Sequence, residues 1–240
     1  MARLTIFAGI NGAGKTTLYN FLADTQQVGS LGKRVCPDEI LQNFKGDWRD
    51  DFDKYRSGRI ALSNIKGYIE NKRSFNWELT VISPTILRYI KKAKEQGFSV
   101  NINFIGVGSV EQSLERIKKR IKKGGHGVEK KLVEMRFNKQ FRNFSQVFEV
   151  ADGIVFYDNA DNMKIVGSYL AKELFISEDA PEWTKEIKEE YLIFSKGTRE
   201  IQETNLIFAG PTFNLYQRST RQFVPQEEDK TGEDDRKTSK

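Results

Sequence analysis

The stretch that most constrains this chain is Gly9-Ile10-Asn11-Gly12-Ala13-Gly14-Lys15-Thr16, which directly follows an apolar run at residues 4–8. Glycines in this spacing let the backbone curl with its amides pointing inward around a phosphate. The lysine then reaches the terminal phosphates, and the threonine hydroxyl is a ligand for magnesium. A helix is expected at residues 16–23, with its N-terminal dipole facing the bound anion. The alternative is a glycine turn that matches the pattern by chance, but strand, loop and helix stand in the order that a nucleotide-binding loop requires.

The loop defines most of the expected ATP-binding residues. They are Gly9, Asn11, Gly12, Ala13, Gly14, Lys15, Thr16 and Thr17, and Arg116 is added from a later helix. Thr16 is the expected magnesium ligand.

Composition limits the possible classes of protein. A chain of 240 residues, 38% of them hydrophobic, can bury one sizeable core. No segment is apolar enough to cross a membrane, the first residues lack a secretion signal, and the single cysteine, Cys36, cannot form an internal disulfide. We therefore expect a cytoplasmic protein. The formal charge of +6 is compatible with nucleic acid, but it also suits an anionic phosphate substrate.

Strand and helix patterns alternate as far as residue 158. Short strands are expected at residues 33–36, 74–80, 99–107 and 153–157, and the third has the continuous apolar character of a central strand. Helices are expected at residues 51–71, 84–96 and 110–122. A long helix then carries the apolar stripe Val133, Phe137, Phe141, Phe144 and Phe148. This order predicts an α/β, P-loop kinase-like fold, with a parallel sheet, helices on both faces and ligands at the carboxyl ends of the strands.

The remaining chain is less informative. Residues 163–176 suit either strand or helix, and residues 183–192 predict a charged helix. We expect a kinase core at residues 1–160, a C-terminal extension packed on that core at residues 161–225, and a disordered charged tail at residues 226–240.

Asp38 is the first candidate for chemistry because it follows the strand at residues 33–36. We expect that strand to pair with the nucleotide strand. A carboxylate at that edge can take a proton from an attacking hydroxyl or help to hold magnesium. The other interpretation is that Asp38 caps a helix at residues 39–44.

Glu78 and Thr80 stand at the end of another strand, where a carboxylate and a hydroxyl can bind a polar acceptor. An exposed glutamate at a strand end is also commonly just a solvated charge.

Arg116 and Arg120 lie one turn apart on the polar side of their helix. They are either a solvated basic face or part of a lid that stabilises the charge developing in phosphoryl transfer. The glycines among residues 124–127 supply the flexibility that a lid needs. His126 is the only histidine, which excludes a histidine-based metal cluster, and Arg136 follows on the next helix.

The order of these motifs resembles the zeta-toxin family of small kinases over roughly residues 4–159. The resemblance is carried by residues 9–17, Pro37-Asp38-Glu39-Ile40, Asn76-Trp77-Glu78, residues 116–126 with the double glycine, and Tyr157-Asp158-Asn159. It implies transfer of a phosphoryl group from ATP, with magnesium, to the sugar 3-hydroxyl of UDP-N-acetylglucosamine.

The resemblance also implies residue roles. Asp38 would be the base, Lys15 and Thr16 would position ATP and magnesium, Glu78 and Thr80 would contact the acceptor, and Arg120 would be the main lid arginine. Arg136 would be the second catalytic arginine. The chain departs from the family at Val128-Glu129, where relatives commonly have Val-Pro.

Two other functions remain open at this stage. The first is a kinase for another acceptor such as NAD. The second is an ATPase or binding module with a nucleic-acid surface at residues 118–123, although no aromatic residues interleave with that basic run. A toxic kinase would also need restraint by a partner, such as an antitoxin that blocks the ATP cleft.

Overall fold

The computed structural model describes residues 1–25 and 31–199, and within them seven strands form one sheet. The strands are β1 (Arg3–Ala8), β2 (Lys33–Val35), β3 (Phe75–Leu79), β4 (Ser99–Gly106), β5 (Gly153–Asp158), β6 (Lys164–Leu170) and β7 (Glu173–Ile176). Their order across the sheet is β2-β3-β1-β4-β5-β6-β7.

Helices connect and cover these strands. They are α1 (Lys15–Asp24), α2 (Pro37–Asn43), α3 (Asp51–Glu70), α4 (Pro84–Glu95), α5 (Val110–Lys122), α6 (Lys130–Phe137), α7 (Phe144–Val150) and α8 (Thr184–Arg199).

The expected α/β, P-loop kinase-like fold is confirmed. Strands β1 to β5 are all parallel, whereas β6 and β7 add antiparallel to the β5 edge. The link from β5 to β6 spans residues 159–163, which is too short for the crossover that a parallel strand needs. The sequence suited either strand or helix at residues 163–176. In the structure this segment contains β6 and β7, which pair as an antiparallel hairpin at the edge of the sheet.

The position of β2 corrects one expectation. β2 does not pair with the nucleotide strand, because β3 lies between β1 and β2. Trp77 of β3 is paired with Ile6 on one side and with Val35 on the other. The end of β3, at Glu78, consequently stands between the nucleotide loop and Asp38.

The long helix expected after residue 127 is a second correction, because it is divided into α6 and α7. Asn143 has φ 69°, a left-handed conformation that a continuous helix does not contain. The aromatic stripe is divided with it: Phe137 packs near α1, whereas Phe141, Phe144 and Phe148 lie in the core on the other face of the sheet.

Two apolar clusters pack the helices against the two faces of the sheet that carries the site. The larger packs α3, α4, α7 and α8 on one face of the sheet, and the smaller packs α1 on the other through Leu18 and Leu22. Trp183 belongs to the larger cluster, and its Nε1 donates a hydrogen bond to Asp158 Oδ1 at 3.0 Å. The helix expected at residues 183–192 thus exists as α8 and is anchored at the carboxyl end of β5.

No helix in the described part of the chain is long and apolar enough to cross a membrane. The division at residue 160 stays a prediction. The tail at residues 226–240 and residues 200–225 of the expected extension lie outside the described residues.

Candidate active site

The nucleotide loop joins β1 to α1 with the backbone conformation that its glycines predict. Gly9, Gly12 and Gly14 have φ values of 144°, 80° and 98°. A Cβ atom at Gly9 would lie 2.3 Å from the carbonyl oxygen of Ile105, so β4 approaches the loop too closely for any side chain there. The loop therefore curls above the sheet and leads directly into the first turn of α1.

Lys15 is buried inside this loop. Its Nζ donates hydrogen bonds to the carbonyl oxygens of Gly9 at 2.8 Å and Ile10 at 3.0 Å, and it lies 3.9 Å from Glu78 Oε1. Burial lowers the pKa of Lys15, although the carboxylates of Glu78 and Asp38 oppose that shift. The ammonium group is thus held at the place where terminal phosphates would enter the loop.

Glu78 is enclosed and fully paired, so the interpretation as a solvated charge is wrong. Its side chain is 10% exposed, and Oε2 accepts hydrogen bonds from Arg34 Nη2 at 2.6 Å and from Thr16 Oγ1 at 3.2 Å. The Arg34 guanidinium also donates to Glu39 at 2.6 Å and lies 3.7 Å from the centre of the Tyr19 ring. Arg34 was not among the expected site residues, because only the strand order places β2 beside Glu78.

Asp38 is in the first turn of α2 but does not cap it. Cys36 occupies the N-cap position, and the helix has no side-chain cap. Asp38 Oδ2 lies instead 2.5 Å from His126 Nε2. Burial acts to raise the pKa of Asp38, but the hydrogen bond from His126 and the charges of Lys15 and Arg120 outweigh it, so the pKa lies below its ordinary value. Asp38 is therefore a carboxylate at neutral pH.

His126 belongs to the glycine segment of the expected lid, but its contact with Asp38 was not predicted. It lies in the turn between α5 and α6, and its Nδ1 is 3.3 Å from Gln42 Nε2. Nothing in the local sequence pairs residues 38 and 126, which meet only because α2 and this turn overhang the same edge of the sheet.

Arg116 does not belong to a solvated basic face. It donates to the carbonyl oxygens of Gly12 at 3.3 Å, Asn159 at 2.6 Å and Ala160 at 2.9 Å. The guanidinium therefore connects α5 to the nucleotide loop and to the segment after β5.

Arg120 also faces inward, but its contacts are incomplete. Its Nε and Nη2 atoms are buried without a hydrogen-bond partner. A Cβ atom at Gly125 would lie 2.7 Å from Arg120 Cγ, so the glycine lets the turn pack closely on the arginine. Buried guanidinium donors without partners favour an anion in front of them.

Arg136 reaches the nucleotide loop from α6. Its Nη1 donates to Asn11 Oδ1 at 2.7 Å. Burial lowers the pKa of Arg136, and the Asp38 carboxylate opposes the shift. The arginine therefore orients the side chain of Asn11.

One cavity of about 350 Å³ collects most of the expected site residues. It is lined by Asn11, Gly12, Gly14, Lys15, Thr16, Thr17, Asp38, Glu78, Arg116 and Arg120. Gly9 and Ala13 form the loop behind this lining. Thr80 does not line this cavity but an adjoining one of about 370 Å³, which Glu78 also lines.

The donors at this site suit magnesium. Thr16 offers a hydroxyl, and Asp38 and Glu78 offer carboxylate oxygens, which are the hard ligands that Mg²⁺ prefers. The described residues contain no group of three or more acidic, histidine or cysteine side chains that could hold a metal ion. This arrangement suits an ion that binds mainly through nucleotide phosphates and water.

Fold and loop together define a protein of the P-loop kinase-like fold. No protein-family model matches the chain. An uncharacterized protein of Haemophilus influenzae is 34% identical over 131 residues, which cover 55% of this chain and 89% of that protein. The chain belongs to the same family as this protein.

Two solved structures support the fold. A chain of the AvrRxo1-ORF1:-ORF2 complex with ATP has a TM-score of 0.58 at 17% identity, and the match covers 88% of this chain and 66% of that one. The PezAT chromosomal toxin-antitoxin system of Streptococcus pneumoniae gives a TM-score of 0.54 at 17% identity, with 85% and 88% covered. This chain thus spans slightly less than two thirds of the first of these.

Proposed function

We propose that the protein is an ATP-dependent kinase that transfers the γ-phosphoryl group to a hydroxyl of a small metabolite. The first candidate acceptor is the sugar 3-hydroxyl of UDP-N-acetylglucosamine. The observation that carries the proposal is the single cavity in which the Asp38 carboxylate faces the nucleotide loop, Lys15 and Arg120.

The nucleotide side of the cavity has the groups that phosphoryl transfer requires. Amides of the loop and the Lys15 ammonium hold the phosphates, while Arg120, supported by Arg136 through Asn11, neutralises the charge that develops on the transferred group. Arg116 keeps α5 against the loop. Magnesium, when bound at Thr16, would neutralise phosphate charge and orient the leaving group.

Asp38 is the proposed general base. Its pKa lies below the ordinary value, so it can accept the proton of the acceptor hydroxyl at neutral pH as that oxygen attacks phosphorus. A base of low pKa is weak, and it serves here because a loose phosphoryl-transfer transition state demands little deprotonation.

The adjoining cavity is the proposed acceptor site. Trp77, Tyr55 and Leu62 give it an apolar wall, and Glu78 and Thr80 place polar groups at one side. Such a wall with a few polar groups suits a ring-bearing metabolite. Glu78 lines both cavities, so we expect an acceptor bound here to lie next to the phosphates.

A protein partner belongs to this proposal as well. The two structural neighbours come from a two-component complex and from a toxin-antitoxin system. We infer that an antitoxin restrains this kinase in the cytoplasm by blocking the ATP cleft.

The decisive experiment is a mass-detected acceptor screen with ATP and Mg²⁺. We expect one nucleotide sugar to gain a phosphoryl group, and Asp38→Ala to abolish this product while ATP binding survives. Asp24→Asn, at the exposed far end of α1, is the matched control and should retain activity. Phosphorylation of NAD instead would change the acceptor, and ATP hydrolysis without any phosphorylated acceptor would refute the kinase.

A further inference from the structure

His126 makes a contact that the proposed transfer reaction has not yet used. It lies in the turn at residues 123–129, between α5 and α6, with a side chain that is 15% exposed. Its Nε2 meets Asp38 Oδ2 at 2.5 Å, and its Nδ1 meets Gln42 Nε2 at 3.3 Å. Both partners belong to α2, so one imidazole ties the turn to the helix that carries the candidate base.

The two contacts fit one neutral form of the ring. The Asp38 carboxylate can only accept, so Nε2 carries a proton, and Nδ1 accepts from Gln42 Nε2 in the amide orientation of the structure. That proton is donated to Asp38 Oδ2. A carboxylate has two oxygens, and this bond engages Oδ2 while Oδ1 can receive a proton from an acceptor.

The same turn is also packed against the phosphate side of the cavity. The Gly125 amide donates to the Arg120 carbonyl oxygen at 3.0 Å, and a Cβ atom at Gly127 would lie 2.5 Å from the Trp48 ring. The turn therefore cannot move without changing the surroundings of both Arg120 and His126.

We propose that His126 is a positioning residue, which the glycine turn holds so that its Nε2 proton fixes the Asp38 carboxylate. The inference rests on the proposed kinase function and deepens it. One short turn thereby sets the phosphate-binding arginine and the orientation of the base at the same time. Arg120 and Lys15 are the cations that act on Asp38 beside His126.

The proton balance of the step leaves His126 unchanged. The acceptor oxygen forms a bond to the γ-phosphorus, the bond from that phosphorus to the bridging oxygen of ADP breaks, and the hydroxyl proton passes to Asp38 Oδ1. His126 keeps its own proton on Nε2 throughout, so it orients the base and does not itself accept a proton.

A spectroscopic test is available because the chain has one histidine. In untagged, ¹⁵N-labelled protein at pH 8, the imidazole signals should show the tautomer with the proton on Nε2. Asp38→Ala should shift the Nε2 signal, and Asp24→Asn should not. A ring with its proton on Nδ1, or a Nε2 signal unmoved by Asp38→Ala, would overturn the proposal.

Kinetics test the functional part. We expect His126→Ala to reduce kcat by about 100-fold, the effect of a misplaced reacting group, with little change in the KM for ATP. His126→Gln should recover most of the rate, because its amide nitrogen can donate from nearly the position of Nε2. Equal or faster turnover in His126→Ala would eliminate the positioning role, as would failure of His126→Gln to improve on alanine. An inactive wild-type protein in the acceptor screen would instead remove the kinase proposal, so the two failures are distinct.

Discussion

Arg34 and Glu78 form a 2.6 Å ion pair in which each side chain is only 10% exposed. Arg34 is on β2 and Glu78 is near the end of β3, so the pair fixes the edge of the sheet next to the nucleotide loop. Glu78 in turn accepts from Thr16 Oγ1 at 3.2 Å. The pair therefore connects the stability of the sheet edge to the orientation of the expected magnesium ligand.

Removing Arg34 should destabilise the protein and weaken catalysis together. Arg34→Ala leaves the enclosed Glu78 carboxylate with only Lys15 and Thr16, and breaking such a pair costs about 3 kcal/mol. Urea denaturation would measure the loss in the free energy of unfolding. Arg73→Ala, an exposed arginine, is the control and should change it by less than about 0.5 kcal/mol. Equal stability of the two variants would contradict the structural role of the pair.

A methyl group on the nucleotide loop should abolish nucleotide binding. Gly14 has φ 98°, and a Cβ atom there would lie 2.5 Å from Asn159 Nδ2, so Gly14→Ala must distort the loop. Gly67→Ala is the matched control, because Gly67 lies in α3 with nothing within 4 Å of its added methyl group. That control should retain ATP binding in calorimetry and raise the free energy of unfolding by up to about 1 kcal/mol. Normal ATP affinity in Gly14→Ala would count against the loop as the binding site.

The elements that the sequence predicts best are those with strong local signals. The nucleotide loop depends on the conformation of its glycines. Helix α5 depends on helical periodicity, on its N-cap Ser109 and on the glycines that follow it. Residues close in sequence determine all of these features. The strand order is different, because β2 pairs with β3 through contacts between residues about 40 positions apart. Arg34 was missed for that reason.

In the site, too, contacts between residues distant in sequence could not be predicted. Asp38, Glu78 and Arg120 could be selected because they follow recognisable strands or lie on a recognisable helix, and because motifs that resemble one kinase family contain them. The Asp38–His126 contact joins residues 88 positions apart, and no short-range pattern signals it. The expected long helix is interrupted at residues 138–143, where tertiary packing of Phe144 and Phe148 on the sheet prevails over a continuous apolar stripe.

The pH dependence of the reaction should reveal the partner of Asp38. Burial raises the pKa of Asp38, and the hydrogen bond from His126, with the nearby cations, lowers it to a net value below the ordinary one of about 4. A lowered pKa stabilises the folded state above the unfolded-state pKa, and this contribution is lost as pH falls through the folded-state pKa. Because the same carboxylate is the proposed base, the acid limb of kcat/KM in wild type should lie below the ordinary pKa of an aspartate. His126→Ala removes one lowering cause, so the acid limb should move to higher pH. An acid limb that stays in place would show that His126 does not act on this carboxylate.

Arg120 should be unfavourable for stability but required for activity. Its buried Nε and Nη2 atoms lack partners, and replacing unsatisfied donors with an apolar side chain of similar length removes a desolvation cost of about 1 to 3 kcal/mol. Arg120→Met should thus leave the free energy of unfolding unchanged or raise it in the absence of nucleotide. The same variant removes a donor aimed at the transferred phosphoryl group, so kcat should fall by on the order of 100-fold to 1,000-fold.

Arg116→Met is the matched comparison: its guanidinium makes three hydrogen bonds to backbone carbonyls, so that variant should lose stability. Denaturation and steady-state kinetics on both variants separate the two roles, and a loss of stability in Arg120→Met equal to that in Arg116→Met would mean that Arg120 is a structural residue.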